Sequence, residues 1–250
     1  MTILNDIPIK EHNKFFQKND FERLYIASRK NENRVYTDEQ LRLLPAIETS
    51  HVHYTEWQVR KRSALRLLNY LKKKDKPFTV LDMGCGNGWL SGLLAEETNS
   101  FIAAIDINTT ELNQAKSVFG KKANLRFMEG SINNIDFKQK FDIIIFAASI
   151  QYFPSFDDTI IKALSLLSEQ GEIHILDSHF YKAAEIENAR QRTRLYYESA
   201  GYPEMAAFYF HHSIDSLRGF THELLFEPGS LINKITGNKD PFPWICITDK

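Results

Sequence analysis

Residues 80–90, VLDMGCGNGWL, limit the possible folds more than any other stretch of the chain: an apolar run ends in an acid, passes three alternating glycines and enters an amphipathic helix. Gly84, Gly86 and Gly88 lack Cβ, so the backbone there takes φ > 0 and lies close to a ligand that side chains would push away. A second acidic strand end, AIDIN with Asp106, comes 24 residues after Asp82. One helix and one return strand fill that interval, and the carboxylate arrives where ribose hydroxyls sit. The stretch therefore reads as a nucleoside site. Its glycine spacing is GxGxG rather than GxGxxG, which counts against a nicotinamide dinucleotide.

From Thr79 onward, strand and helix patterns alternate: TVLDMG, WLSGLLAEET, FIAAIDI, TTELNQAKSVFG, LRFMEG, FDIIIFAAS, TIIKALSLLSEQG and EIHILDS. Such alternation predicts a parallel sheet covered by helices. FDIIIFAAS is apolar nearly throughout, as a central strand buried on both faces requires. Gly120 and Gly171 suit the ends of the helices they follow. HELLFEP and PWICITDK read as two late candidate strands, with GSLINKITGNKDPFP as a loop or short helix between them. Before the sheet, FFQKNDFERLYIASRK and TDEQLRLLPAI read as helices, the second capped by Thr37. Glu56 to Lys74 has the apolar periodicity of a longer helix that Pro77 stops.

In the order VLDMGCGNG, AIDIN, EGSINNIDF and FDIIIFAAS, the chain resembles the class I methyltransferases that use S-adenosylmethionine, over residues 80–177. The resemblance implies an α/β fold: a doubly wound, Rossmann-like, seven-stranded and mostly parallel sheet with helices on both faces and an N-terminal helical extension. It implies a helical cap over residues 1–78 and a methyltransferase domain over 79–250, with 181–221 as a helical insertion on the substrate side. The implied cofactor is S-adenosylmethionine. Asp82 would accept near its ammonium group, the backbone of Gly84, Cys85, Gly86 and Gly88 would approach its methionine end, and Asp106 would take the ribose hydroxyls. Ile107, Ser131 and Ile132 would face adenine; many relatives carry an acid where Ser131 stands, and its hydroxyl still reaches the adenine amine. Ala147 sits where relatives line the cofactor. The strand end AASIQYF lacks the Asn-Pro-Pro-Tyr signature of enzymes that methylate exocyclic or amide nitrogens. In similar enzymes the segment holding Tyr54, Trp57 and Arg60 folds over the cofactor, so that an arginine meets its carboxylate and an aromatic packs on the sulfonium.

Gln151, Tyr152 and Phe153 would shape the acceptor side of the cleft, and Tyr196, Tyr197, Phe208, Tyr209 and Phe210 would wall an apolar pocket or simply form the core beneath a helical layer. A base is needed only if the acceptor arrives protonated. The candidates are His51, His53, His211 and His212, because histidine titrates near neutral pH. Adjacent residues seldom point the same way and no acidic spacing accompanies His211 and His212, so no metal is expected. The expected reaction is direct displacement onto a small molecule, with proximity supplying roughly 7–11 kcal/mol. Two alternatives stay open: methylation of tRNA or rRNA through the basic helix, and a protein that binds the adenosyl cofactor without turnover.

The 250 residues, 43% of them hydrophobic, suffice for one α/β domain with an elaboration. A formal net charge of −1 removes any global case for a nucleic-acid or membrane partner. The basic excess gathers instead between Arg60 and Lys76, where a solvated helix face is the simpler reading. Cys85 lies inside the glycine loop, where a disulfide to Cys246 would obstruct the ligand, so a reducing compartment is expected. No leader-like or membrane-spanning apolar run is evident. The expectation is a soluble cytoplasmic monomer or homodimer.

Overall fold

A computed structural model describes residues 18–135, 137–230, 233 and 240–249. Its strands are β1 (Thr79–Met83), β2 (Phe101–Asp106), β3 (Leu125–Glu129), β4 (Phe141–Ala147), β5 (Leu167–Leu176), β6 (Thr221–Phe226) and β7 (Trp244–Thr248). They form one sheet in the order β3-β2-β1-β4-β5-β7-β6. The first five are mutually parallel; β7 runs antiparallel to β5, and β6 antiparallel to β7. This is the seven-stranded, mostly parallel sheet that the resemblance implies, with HELLFEP and PWICITDK as its edge pair.

Side chains leave alternate faces of a strand, and here both faces are buried. Val80, Ile102, Ala104, Ile143 and Ile145 join one core with Leu67 and Leu71 of α3 (Tyr54–Leu71) and Leu90 and Leu94 of α4 (Trp89–Glu97). Leu81, Ala103, Ile105, Ile144 and Phe146 turn the other way, toward Ile160 and Ala163 of α6 (Phe156–Leu164). Each large side chain buried there contributes roughly 1.5–3 kcal/mol of transfer free energy. On the first face, α5 (Thr109–Phe119) adds Phe119.

Ahead of the sheet come α1 (Lys18–Asn31), α2 (Asp38–Leu43) and α3. Thr37 caps α2 as expected: its side chain accepts from the Gln40 amide while the Gln40 side chain accepts from the Thr37 amide. The longer helix ends at Leu71, before Pro77 is reached. Between β5 and β6 lie α7 (Ile186–Ser199) and 3-10 turns at Ala183–Glu185, Pro203–Phe208 and Ile214–Gly219. The start of the first predicted helix and most of the predicted 229–243 loop lie outside the described residues.

One expectation is corrected. The helix read through TIIKALSLLSEQG stops at Leu164, and Gly171 lies inside β5 rather than at a helix end. The pairing of β4 with β5 shifts register between Phe141 and Ile143, Gln170 takes φ of 65°, and a Cβ on Gly171 would stand 3.1 Å from the Phe141 carbonyl oxygen. Gly171 thus serves the close approach of two strands at a bulge.

Candidate active site

In a sheet of this order the direction in which strands are added reverses between the parallel β1 and β4, and loops leaving the carboxyl ends of the strands open a crevice there. The loop after β1 enters it with Gly84 at φ of 71° and Gly88 at 75°. A Cβ on Gly84 would lie 2.6 Å from that of Ser149, whose hydroxyl donates to the Met83 carbonyl at 2.6 Å. A Cβ on Gly88 would meet the Phe127 ring at 2.7 Å. These two glycines are therefore required by the protein's own packing. Asp106, at the end of β2, fastens the loop by accepting from the Gly86 amide at 2.8 Å and the Asn108 amide at 2.7 Å.

Three chambers meet at Ala148, which lines all of them. The first, about 330 Å³, is bounded by Ile105, Asp106, Ile107, Ser131, Asn133 and Phe153, and Phe21 and Tyr25 of α1 with Phe208 also border it. The second, about 110 Å³, runs along Gly84, Cys85 and Gly86 to Glu56, Trp57, Arg60, Glu111 and Ala147. The third, about 360 Å³, is walled by Gln151, Tyr152, Tyr196, Tyr197 and Tyr209, with Arg29, Glu32, Arg34, Glu56, Arg60, Asp177, His179 and Arg192 supplying its charged and titratable groups. Ala148 and Asp177, at the ends of β4 and β5, both take φ of 52°. Left-handed residues other than glycine cost about 1–2 kcal/mol and gather at functional sites.

The electrostatics differ between chambers. Burial, reinforced by the charge of Asp106, pushes Glu111 up to about 8, with Arg29 opposing. Burial also raises Asp106, and the Asn108 and Gly86 amides act against it. Burial would raise Glu56 as well, but Arg34 and Arg60 hold it down at about 2. Arg34 donates to it at 2.7 Å and Arg60 at 3.1 Å. Arg29 bridges Glu32 at 3.0 Å and the Tyr152 hydroxyl at 2.8 Å, its guanidinium lying over the Tyr25 ring.

Among the residues singled out from sequence, Gly84, Gly86, Asp106, Ile107 and Ser131 gather at the first chamber, and Cys85, Trp57, Arg60 and Ala147 at the second. Gln151, Tyr152, Tyr196, Tyr197 and Tyr209 gather at the third. Asp82 does not reach a chamber: it is buried beneath the loop and accepts from Ser91 at 2.5 Å. Ile132 belongs to the core, and Tyr54, the first residue of α3, lines none of the three. The Trp57 indole donates to the Tyr36 hydroxyl at 2.7 Å.

The four histidines are elsewhere. His53 and His212 direct Nε2 at the carbonyl oxygens of Glu32 and Ile150, at 2.6 and 3.0 Å, so those nitrogens carry protons and are spent. His51 Nδ1 accepts from the His53 amide, and His211 Nε2 bonds the Thr193 hydroxyl. His211 and His212 border a separate cavity with Arg190 and Arg194. Sequence reading missed Tyr25, Arg29, Arg34, Glu56, Glu111, Asn133, Asp177, His179 and Arg192. Two signals were available: Phe21, Tyr25 and Arg29 recur at four-residue spacing on one face of α1, and Asp177 and His179 directly follow an apolar strand.

Comparison with known proteins agrees with this geometry. A family model described as a methyltransferase domain matches residues 74–218. A malonyl-[acyl-carrier protein] O-methyltransferase of Acetivibrio thermocellus is 32% identical over 116 residues, 46% of this chain and 41% of that protein. A trans-aconitate 2-methyltransferase of Escherichia fergusonii is 31% identical over 117 residues, covering 46% and 45% of the two chains. The chain thus spans less than half the length of these curated relatives. Among solved structures, magnesium protoporphyrin IX methyltransferase from Synechocystis PCC 6803, with S-adenosylhomocysteine bound, shares the fold at a TM-score of 0.59 and 14% identity, over 93% of this chain and 100% of that one. The cradle fits the corresponding cofactor: a half-buried carboxylate and apolar walls face the first chamber, and guanidinium and carboxylate groups border the second. With the glycine loop, the strand order and the matched model all in register, the chain belongs to the methyltransferase domain family, as a class I S-adenosylmethionine-dependent methyltransferase.

Proposed function

We propose that the protein transfers a methyl group to a small-molecule acceptor held in the third chamber, by direct displacement and chiefly through alignment. S-adenosylmethionine, when bound, supplies an electrophilic methyl carbon. Asp106 accepts from the ribose hydroxyls, Ile107, Ser131 and Asn133 face adenine, and the Gly84–Gly86 backbone with Arg60 and Glu56 receives the methionine end. Tyr152 separates donor from acceptor, and Phe21, Tyr25 and Phe208 keep water out. Excluding water and fixing the approach are what such a displacement asks of the protein.

One observation carries the reading: Ala148, next to the Ser149 that packs against Gly84, lines the two donor-side chambers and the acceptor-side chamber alike. Of residues 1–78, the described part from Lys18 onward then acts as the helical cap, and 181–221 as the insertion that builds the acceptor wall. A small acceptor is supported further by the basic helix itself. Arg62 and Arg66 are held by Asp240, Lys72 by Glu97 and Lys74 by Glu172, which leaves little of that face to meet an RNA backbone. No helix among the described residues is long and apolar enough to cross a membrane.

Calorimetric titration with S-adenosylmethionine, S-adenosylhomocysteine and NAD tests the reading. Both adenosyl compounds should bind and NAD should not; NAD binding alone would refute it. Asp106→Ala should weaken adenosyl binding by about 1–3 kcal/mol, the value of charged hydrogen bonds, and unchanged affinity would remove Asp106 from the ribose.

A further inference from the structure

Resting on that reading, we infer that the acceptor is a carboxylate and the product a methyl ester. The third chamber is lined by four guanidiniums, of which Arg29, Arg34 and Arg60 also border the second chamber and Arg192 faces the third without the second, and only two of its carboxylates pair with them. Glu32 and Glu56 are shared among Arg29, Arg34 and Arg60, so three cations divide two anions. Arg192, on the exposed side of α7, forms no ion pair or hydrogen bond among the described residues. The third acid, Asp177, is driven toward its neutral form by burial, against Arg60. An excess of positive charge in a partly closed chamber favours an anion and repels an ammonium.

The rest of the wall accords with an acceptor that brings its own nucleophile. Burial raises Tyr196, Tyr197 and Tyr209, keeping their hydroxyls protonated as donors. Tyr196 already donates to Glu32 at 2.7 Å, and the Tyr152 hydroxyl accepts from Arg29. His179, the one histidine lining this chamber, is exposed and packs its ring 4.6 Å from that of Phe242. A carboxylate needs no base, because it is ionised well below neutral pH. Its oxygen gives a lone pair to the methyl carbon, the carbon–sulfur bond breaks with its pair to sulfur, and ester and neutral thioether result with no proton released. The rings of Tyr152, Tyr197, Tyr209 and Phe242 suit an acyl chain or aromatic ring behind the reacting group. The two curated relatives act, by their names, on malonyl and trans-aconitate groups, both of which carry carboxylates.

The test is a matched panel on the full chain with methyl-labelled S-adenosylmethionine: benzoate, phenylacetate and octanoate against benzylamine, phenol and octylamine. Calorimetry with S-adenosylhomocysteine runs in parallel. The expected result is label on the acids alone, released as volatile methanol by mild alkali. Arg192→Gln should raise KM for the acid roughly 10- to 100-fold, as loss of a charged contact does, while S-adenosylhomocysteine affinity stays within twofold and Arg192→Lys recovers part of the loss. Alkali-stable label on the amines or phenol, or bound cofactor with no acid methylated, overturns the carboxylate assignment and leaves the donor site standing. Failure to bind S-adenosylhomocysteine at all overturns both.

Discussion

Glu111 concentrates the site's chemistry in one side chain. It borders both donor-side chambers, and burial with the neighbouring Asp106 pushes it up to about 8. Between the ordinary glutamate value and 8 the folded protein keeps a proton that the unfolded chain has lost. The unfolded state then binds fewer protons, so stability falls as pH rises through that window. Glu111→Gln should therefore stabilise the empty protein at pH 8 by a few kcal/mol, about 4 at most, and by little below pH 4, in paired denaturant titrations. A cationic ligand in the second chamber favours the carboxylate, so binding expels the proton. Affinity for S-adenosylhomocysteine, whose ammonium group is cationic, should climb toward pH 8 and level above it. Calorimetry in buffers of different ionisation enthalpy should find proton release in the native protein and none in Glu111→Gln; equal release in both would clear Glu111 of the role. None of this was legible in the sequence, where Glu111 is an ordinary first-turn acid of a helix. Asp106 was legible because strand-end position alone gives its place, whereas its second duty, holding the Gly86 and Asn108 amides, needed coordinates.

Among the elements, the glycine loop is set by what lies beneath it. Gly88, at the N-cap of α4, faces Phe127 of β3 and Ala115 of α5, with Cβ positions 2.7 and 2.9 Å from them. Gly88→Ala should cost about 2–4 kcal/mol in thermal or denaturant unfolding, from left-handed backbone and overpacking together. Adding Phe127→Leu should recover the overpacking part, and a strictly additive double mutant would show that the ring is not what excludes the methyl. Sequence periodicity found every strand of the sheet because both faces of the central strands are apolar. It failed at residues 165–171, where SLLSEQG carries helical spacing beyond Leu164 while Leu167 already pairs with Phe141. Tertiary pairing overrides local pattern there. The histidines failed for a related reason: spacing gives no hint that His53 and His212 point at carbonyl oxygens.

Across the whole molecule, a partly buried polar chain ties α3 and the turn after it to the antiparallel edge. The Tyr70 hydroxyl of α3 donates to Glu172 of β5 at 3.1 Å, Lys74 lies 3.0 Å from the same carboxylate, and the Trp244 indole of β7 donates to His174 Nδ1 at 3.1 Å. Since Nδ1 accepts, Nε2 carries the proton toward Glu172, which occupies the ring nitrogen that a metal at Glu172, His174 and Cys246 would require. Burial would raise Glu172, yet His174 and Lys74 hold it down at about 2. A folded value below the unfolded one means stability present above the ordinary glutamate range and lost as pH falls toward 2. Glu172→Gln should cost about 1–2 kcal/mol at pH 7, and the difference should close by pH 2 in denaturant titrations. The donor half of the molecule was readable in advance because a nucleoside demands a fixed loop, a strand-end acid and a fixed strand order. The acceptor half was not: its charged groups come from α1 and the segment after it, α3, the loop after β5 and α7, which meet only in the folded chain.

A crystal structure of the full chain with S-adenosylhomocysteine bears most directly on how donor and acceptor sides divide. The expected density puts the ribose on Asp106, adenine beside Ile107 and Ser131, and the homocysteine along Gly84–Gly86 toward Arg60, with sulfur facing the third chamber at Ala148. An adenosyl group bound outside the first two chambers, or sulfur turned away from the arginine-lined third, would contradict the assignment.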